Sequence, residues 1–316
     1  MGRAGEFIMP PVSTRNPGQL WPPLPLESWQ DTYATLHMWT QMAGKVRLAL
    51  SPPVNHFWSV TLYVSTCGLT TSAMPYEGGT LEIEFDFLHH NLVFQTSRGL
   101  SKTIPLAPRP VADFYKEFMA TLRGLGIAVE IWPMPVEVPN PIRFDKDFTH
   151  ASYDREAVER FWRILIAVEA VLQEFRARFV GKSSPVHFFW GSFDLAVTRF
   201  SGRRAPERAG ADPITREAYS HEVISAGFWP GSGDVRYPAF YAYAAPEPGG
   251  FSTSPSLPAA SFYDPQQKEF LLPYDAVRQA ESPRKMLLDF LESTYESGAN
   301  LGKWDRAALE RASHAA

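Results

Sequence analysis

Ser183-Ser184-Pro185-Val186-His187-Phe188-Phe189-Trp190 matches Ser51-Pro52-Pro53-Val54-Asn55-His56-Phe57-Trp58 at five of eight positions without a gap. Each copy follows a helical pattern ending in Gly-Lys, Gly44-Lys45 in one and Gly181-Lys182 in the other. After each comes a run of short strand patterns. Each run closes on Ile104-Pro105 or Leu272-Pro273, and a helix follows. The shared order of helix, antiparallel strands and helix predicts an internal duplication. The expected class is α+β: two similar units, each an antiparallel sheet flanked by helices, related by a pseudo-two-fold axis. The copies differ at their histidines, His56 against His187. Strand neighbours face opposite sides, so these two histidines are not equivalent.

Outward from these octapeptides the chain divides at proline. Residues 9–132 form the first unit and 150–316 the second. Residues 133–149, with Pro133, Pro135, Pro139 and Pro141, form an extended connector. Residues 1–8 read as a vector-derived tag, with Met9 as the native start. In the first unit, Ser28 to Gly44 predicts a helix stopped by its glycine. Residues 56–66 predict a strand. Thr80–Phe87 alternates strictly and returns through Leu92–Thr96. Val111–Leu125 is helical, and Ile127–Trp132 reads as a further strand. In the second unit, Asp154–Val180 carries one apolar stripe and is the longest helix. Pro185–Phe200 reads as a single long strand bulged at Gly191. Residues 202–218 read as an exposed basic loop. Tyr219–Phe228 and Phe240–Ala244 read as strands, Phe262–Leu272 as a hairpin and Pro283–Tyr295 as a closing helix.

Composition narrows the function classes. The chain has 316 residues, 45% of them hydrophobic, which suffices for a sizeable core. Its net charge of -4 argues against nucleic acid as a partner, since neutralising phosphates needs a Lys/Arg surplus. There is one cysteine, Cys67, so no intramolecular disulfide forms, and a reducing cytoplasm is expected. No run of 18 apolar residues predicts a membrane-spanning helix. There are 28 prolines, about twice the usual share, so loops are many and rigid. No Gly-rich phosphate loop, nucleophile elbow, H-E-x-x-H or C-x-x-C motif is present.

Two clusters carry the densest chemistry. In the first, Trp190, Ser192, Asp194 and Thr198 share one face if Gly191 leaves the register unshifted. A carboxylate in an apolar strand needs a partner, and Arg199 and Arg203 are the nearby cations. The second is Tyr219-Ser220-His221-Glu222 at a strand entry. Histidine is the default acid–base group near neutral pH. His187, His221, Glu222 and Asp194 are therefore the expected catalytic residues. Trp190, Arg199, Arg203, Tyr219 and His56 are the expected substrate-binding residues. A metal held by His150, His187, His221 and Glu222 suits imidazole and carboxylate chemistry, but no pair has ligand spacing. Metal and cofactor stay open.

The stretches LWPPLPLESWQDTYATLH, PVNHFW, TIPLAPRPVADFYKEFM, SPVHFFWGSFDLAVTRFSGR, DPITREAYSHEVISAGFWPG and FLLPYDAV resemble a bacterial family catalogued only as a domain of unknown function. The resemblance covers about residues 19–310 and implies one full-length unit. It implies no activity, cofactor or catalytic residue. The sequence expectation is a cytoplasmic enzyme acting on a small anionic or aromatic metabolite through a His/carboxylate/Arg pocket. The alternative is a non-catalytic small-molecule-binding protein using the same cleft between the units. Oligomeric state stays open.

Overall fold

The computed structural model describes residues 20–311. The expected tag at 1–8 lies outside them. Trp21, Leu24 and Leu26 anchor the entering strand of chain in the core. Helix α1 (Gln30–Leu50) follows. It is enclosed on nearly every side, so its polar residues His37, Gln41 and Lys45 are buried with Leu36, Trp39 and Met42. The helix does not stop at Gly44. The bare Cα at Gly44 instead makes room for the Trp190 indole, whose Cδ1 lies 2.2 Å from where a Cβ would stand.

The first sheet comprises β1 (Tyr63–Val64), β2 (Gly68–Thr70), β3 (Met74–Tyr76), β4 (Gly79–Asp86), β5 (Asn91–Thr96) and β6 (Ser101–Pro105). Its order is β1-β2-β4-β5-β6, with β3 also on β4, and every pairing is antiparallel. Leu81, Ile83 and Phe85 of β4 turn to the core, as their alternation predicts. Helix α2 (Val111–Gly124) closes this half, and the long α3 (Arg155–Ala177) opens the next. Asp154 caps α3 by accepting from the Ala157 N–H.

The second sheet comprises β7 (His187–Phe189), β8 (Asp194–Arg204), β9 (His221–Trp229), β10 (Ala239–Ala245), β11 (Phe262–Asp264) and β12 (Glu269–Pro273). Its order is β11-β12-β10-β9-β8-β7, again fully antiparallel. Between β8 and β9 stands a short helix, α4 (Pro213–Ala218). After β12 come α5 (Tyr274–Arg278), α6 (Pro283–Leu301) and α7 (Arg306–Leu309). The α+β class with two six-stranded sheets is therefore the observed architecture.

Four further local expectations are corrected. Residues 202–218 are not all loop, since β8 runs on to Arg204 and α4 spans Pro213–Ala218, capped by Asp212. Residues 56–66 are not one strand: Asn55–Phe57 is a 3-10 turn, and His56 and Phe57 both sit at φ +58°. The two octapeptides thus take different conformations, a turn in one and strand β7 in the other. Ile127–Trp132 has no regular structure and runs as a packed loop. Pro185–Phe200 is not one bulged strand but the β7–β8 hairpin, turned at residues 190–193 with Phe193 at φ +60°. The apolar character on both sides of that turn hid the reversal.

The halves share one hydrophobic cluster running through α1 and α3. Their sheets touch at a two-way bridge. Leu62 N–H donates to the Phe188 carbonyl at 2.9 Å, and Phe188 N–H to that of Leu62 at 2.7 Å. The proline-rich stretch is stitched to α1 by Gln41, which donates to the Val136 carbonyl at 2.8 Å and accepts from its N–H at 2.9 Å.

Candidate functional site

Alternation along β8–β10 divides the second sheet. Leu195, Val197, Ile224, Ala226, Phe240 and Ala242 face the shared core. The opposite face carries Asp194, Thr198, Ser225, Tyr241 and Tyr243, and it floors a pocket of about 900 Å³. Lys45, His56, Trp58 and Trp132 from the first half and Glu137 from the connector complete the walls. The cleft therefore lies between the two halves, where ligand sites concentrate.

Asp194 lies in the pocket floor and is 7% exposed. Ser192 Oγ donates to its Oδ1 and the Tyr241 hydroxyl to its Oδ2. Burial pushes this carboxyl above its ordinary range, and those two donors only partly offset the rise. Glu137 sits in the left-handed region at φ +56°, with its carboxyl over Gly191, where a Cβ would meet Oε1 at 2.4 Å. Burial pushes Glu137 up, and the neighbouring Asp194 adds to it. Glu269 is pushed to about 7 by burial, then by Asp194 and Asp264. Asp194 thus adds to the rise of both neighbours, since a like charge nearby favours the protonated form.

The rest of the floor is a ladder of hydroxyls. Thr198 and Ser225, cross-strand partners, join their side-chain oxygens at 2.9 Å. Tyr219 and Tyr243 join theirs at 2.9 Å. The Tyr241 and Tyr243 rings lie 16° from parallel with centroids 6.2 Å apart.

The hairpin that carries Trp190 and Ser192 is clamped from the first half. His37 Nε2–H donates to the carbonyls of Trp190 at 3.0 Å and Gly191 at 2.8 Å. Burial lowers His37 to about 4, so the ring stays neutral. The Trp190 indole N–H donates to the Val60 carbonyl at 2.7 Å. At the other end, His56 Nδ1–H donates to the Glu217 carbonyl at 3.0 Å, and Nε2 accepts from Lys182 Nζ at 2.7 Å. Burial, then the Lys182 charge, lowers His56.

Of the residues expected from sequence, His56, Trp190, Asp194 and Tyr219 line the pocket. His221 stands edge-on to His56, with ring centroids 5.6 Å apart, but is not itself in the wall. The others lie elsewhere. His187 is fully enclosed against Phe189 and Trp58, and neither ring nitrogen has a partner. Arg199 pairs with Ile224 and so points to the core face. There its guanidinium carbon lies 3.4 Å from the Phe175 ring centroid and Nη1 lies 3.7 Å from Glu292. Arg203 and Glu222 pair with each other at 2.6 Å near the surface, with Arg203 also tied to the Lys303 carbonyl. The expected arginine clamp is therefore absent from the pocket: alternation turns Arg199 away, and Glu222 occupies Arg203. Among the described residues, no group of three His, Cys, Asp or Glu side chains is placed to hold a metal ion. His150 instead pairs with Asp147 at 2.7 Å.

Sequence reasoning missed Lys45, Glu137, Trp132 and the tyrosines of β10. The tyrosines had a signal: in Phe240-Tyr241-Ala242-Tyr243-Ala244 the hydroxyl-bearing rings alternate with core residues. Lys45 and Glu137 had none, because their neighbourhood is assembled from distant segments.

Two antiparallel six-stranded sheets, a shared central helix and a deep cleft between the halves define an α+β protein with an inter-unit pocket. The chain belongs to the family described as Family of unknown function (DUF5996), whose model matches residues 21–311. No curated protein and no solved structure matches it.

Proposed function

We propose that this protein is an enzyme that acts on a small aromatic metabolite in the inter-unit pocket, with Asp194 as its acid–base group. The observation that carries the reading is Asp194 itself. It is a carboxyl at the bottom of an aromatic-walled cavity, held by two hydroxyl donors and raised by burial. Perturbed carboxyls in a concave site are the usual mark of acid–base chemistry. Trp58, Trp190 and Tyr219 supply flat contact area for a ring. The carboxyls of Asp194 and Glu137 favour a neutral or donor-bearing end at the floor over an anionic one. The ligand is a small molecule rather than nucleic acid, in keeping with the net charge of -4. No described helix is long and apolar enough to cross a membrane. A reducing cytoplasm is proposed as its compartment, which a chain with a single cysteine suits.

A plain binding protein is the second reading. It is favoured by the hydroxyl ladder, whose members already satisfy one another. The two readings separate on Asp194→Asn. A panel of aromatic amines, phenols and aldehydes is screened by calorimetry and for turnover. The enzyme reading expects Asp194→Asn to bind within a few-fold of wild type but to lose about 10²-fold or more in kcat. If the acid form works, kcat falls as pH rises through the raised Asp194 pKa. Binding with no conversion of any compound favours the binding protein. Equal turnover by wild type and variant removes Asp194 from the chemistry.

A further inference from the structure

Among the described residues that line the pocket, Lys45 alone carries an amine. It lies in the second half of the buried helix α1 and is only 6% exposed. Its Nζ stands 5.1 Å from the Trp132 ring centroid and 5.7 Å from that of Trp190, so two indoles flank it at the cavity wall. Among the described lysines only Lys285 has a carboxylate within ion-pair distance, Asp289 at 2.6 Å, so burial in the cavity wall is what sets Lys45 apart. Among the described residues, no carboxylate pairs with Lys45, although Glu130 and Glu137 line the same pocket. Burial alone lowers its ammonium to about 8. A flexible amine that is enclosed, unpaired and open to a cavity is poorly suited to hold charge and well suited to attack.

We infer that Lys45 is a nucleophile that forms an imine with the carbonyl group of an aromatic aldehyde or ketone bound in the pocket. The inference rests on the pocket reading above and names the substrate class it implies. The neutral Lys45 amine attacks the carbonyl carbon, forming the C–N bond. The C=O π pair moves to oxygen, which takes up the proton lost from nitrogen, giving a carbinolamine. A carboxylic acid on this wall, Glu137 being the candidate, then donates a proton to that hydroxyl. Water leaves with the C–O bonding pair, and the nitrogen lone pair forms the C=N bond. The product is a protonated imine beside the glutamate anion, and no oxidant or further reactant is required. Trp132 and Trp190, which already flank Nζ, stack on the incoming ring and on the cationic imine.

The test uses the whole protein with benzaldehyde as probe and sodium borohydride to trap the imine, followed by peptide mass spectrometry. Benzyl alcohol, which cannot form an imine, is titrated in parallel by tryptophan fluorescence. The expected result is trapping at Lys45 about ten-fold or more ahead of Lys116 and Lys285 at pH 7.5, with a midpoint near 8 in its pH dependence. Lys45→Met and Lys45→Arg lose that adduct yet still bind benzyl alcohol. The labelling order within wild type decides the matter even if a variant fails to fold. Trapping at Lys45 no faster than at the surface lysines, with benzyl alcohol still quenching fluorescence, overturns the imine and leaves the pocket reading standing. Binding of neither probe overturns both.

Discussion

His187 shows how little a residue type says until its surroundings are known. Its ring is fully enclosed, both nitrogens lack partners, and burial with the nearby Arg176 and Arg47 charges lowers it to about 3. A histidine so placed is neutral in the folded chain. In the unfolded chain it takes a proton below its ordinary value of about 6.5. The unfolded state therefore binds more protons, and stability falls as pH drops from about 6.5 toward 3. His37, lowered to about 4, acts in the same direction. The raised carboxyls Asp194, Glu137 and Glu269 act oppositely, so the variant rather than the wild-type slope isolates His187. His187→Leu keeps the volume and removes the orphaned nitrogens. Urea unfolding at pH 7 and pH 5 is expected to show the variant losing less stability on acidification, by up to about 2 kcal/mol. Parallel losses in both proteins would refute a neutral His187. Asp194 differs from His187 because hydroxyl partners and a cavity sit beside it.

At the scale of elements, the β7–β8 hairpin and helix α1 work as one part. The hairpin turn carries Trp190 and Ser192, but its geometry is held by His37 and Gly44 from α1. Gly44 lies mid-helix, where glycine costs up to about 1 kcal/mol relative to alanine. Here the missing methyl is what lets an indole lie on the helix. Gly44→Ala improves helix propensity and still places a Cβ 2.2 Å from Trp190. Since the ring is also tied to the Val60 carbonyl, it has little freedom to move aside. The expected result is a net loss of about 1–3 kcal/mol in thermal or urea unfolding. Aromatic ligand binding weakens with it, because Trp190 is a pocket wall. A more stable Gly44→Ala with unchanged ligand affinity would show that the close approach is relieved without cost. The same α1 turn carries Lys45, so any shift of Trp190 alters the indole pair around that amine.

At the scale of the molecule, the two halves do not behave as separate bodies in the packing. One hydrophobic cluster runs through both, α1 is enclosed by both, and the Leu62–Phe188 bridge joins their sheets. Unfolding is therefore expected to be a single cooperative transition, with far-UV circular dichroism and tryptophan fluorescence giving coincident urea midpoints. Two separated transitions would mean that each half holds a core of its own. The pocket gains from this arrangement. Its floor belongs to one sheet and its walls to α1 and the connector, so opening the cleft means disturbing the shared core.

Much of the local structure was legible in the chain. The alternation of Thr80–Phe87, the stripe of Asp154–Val180 and the hairpin at Phe262–Leu272 each appear close to where their periodicity puts them. Periodicity works there because each pattern records which side of an element meets water. It failed at Pro185–Phe200, where apolar residues flank a reversal and nothing in the pattern marks the turn. It also failed at Gly44, where a stop signal proved to be a packing contact with a residue far along the chain. For the site, Asp194 and Trp190 stood out because a carboxylate and an indole in an apolar run demand an explanation. Lys45, Glu137 and Tyr241 did not, being ordinary in their local context. The sequence by itself determined the α+β class, most element positions and the family. Only the tertiary structure decided which face of the second sheet is the pocket, which histidines are sealed away and which amine faces the cavity. Those properties depend on what lies across a cavity, and residues far apart in the chain supply it.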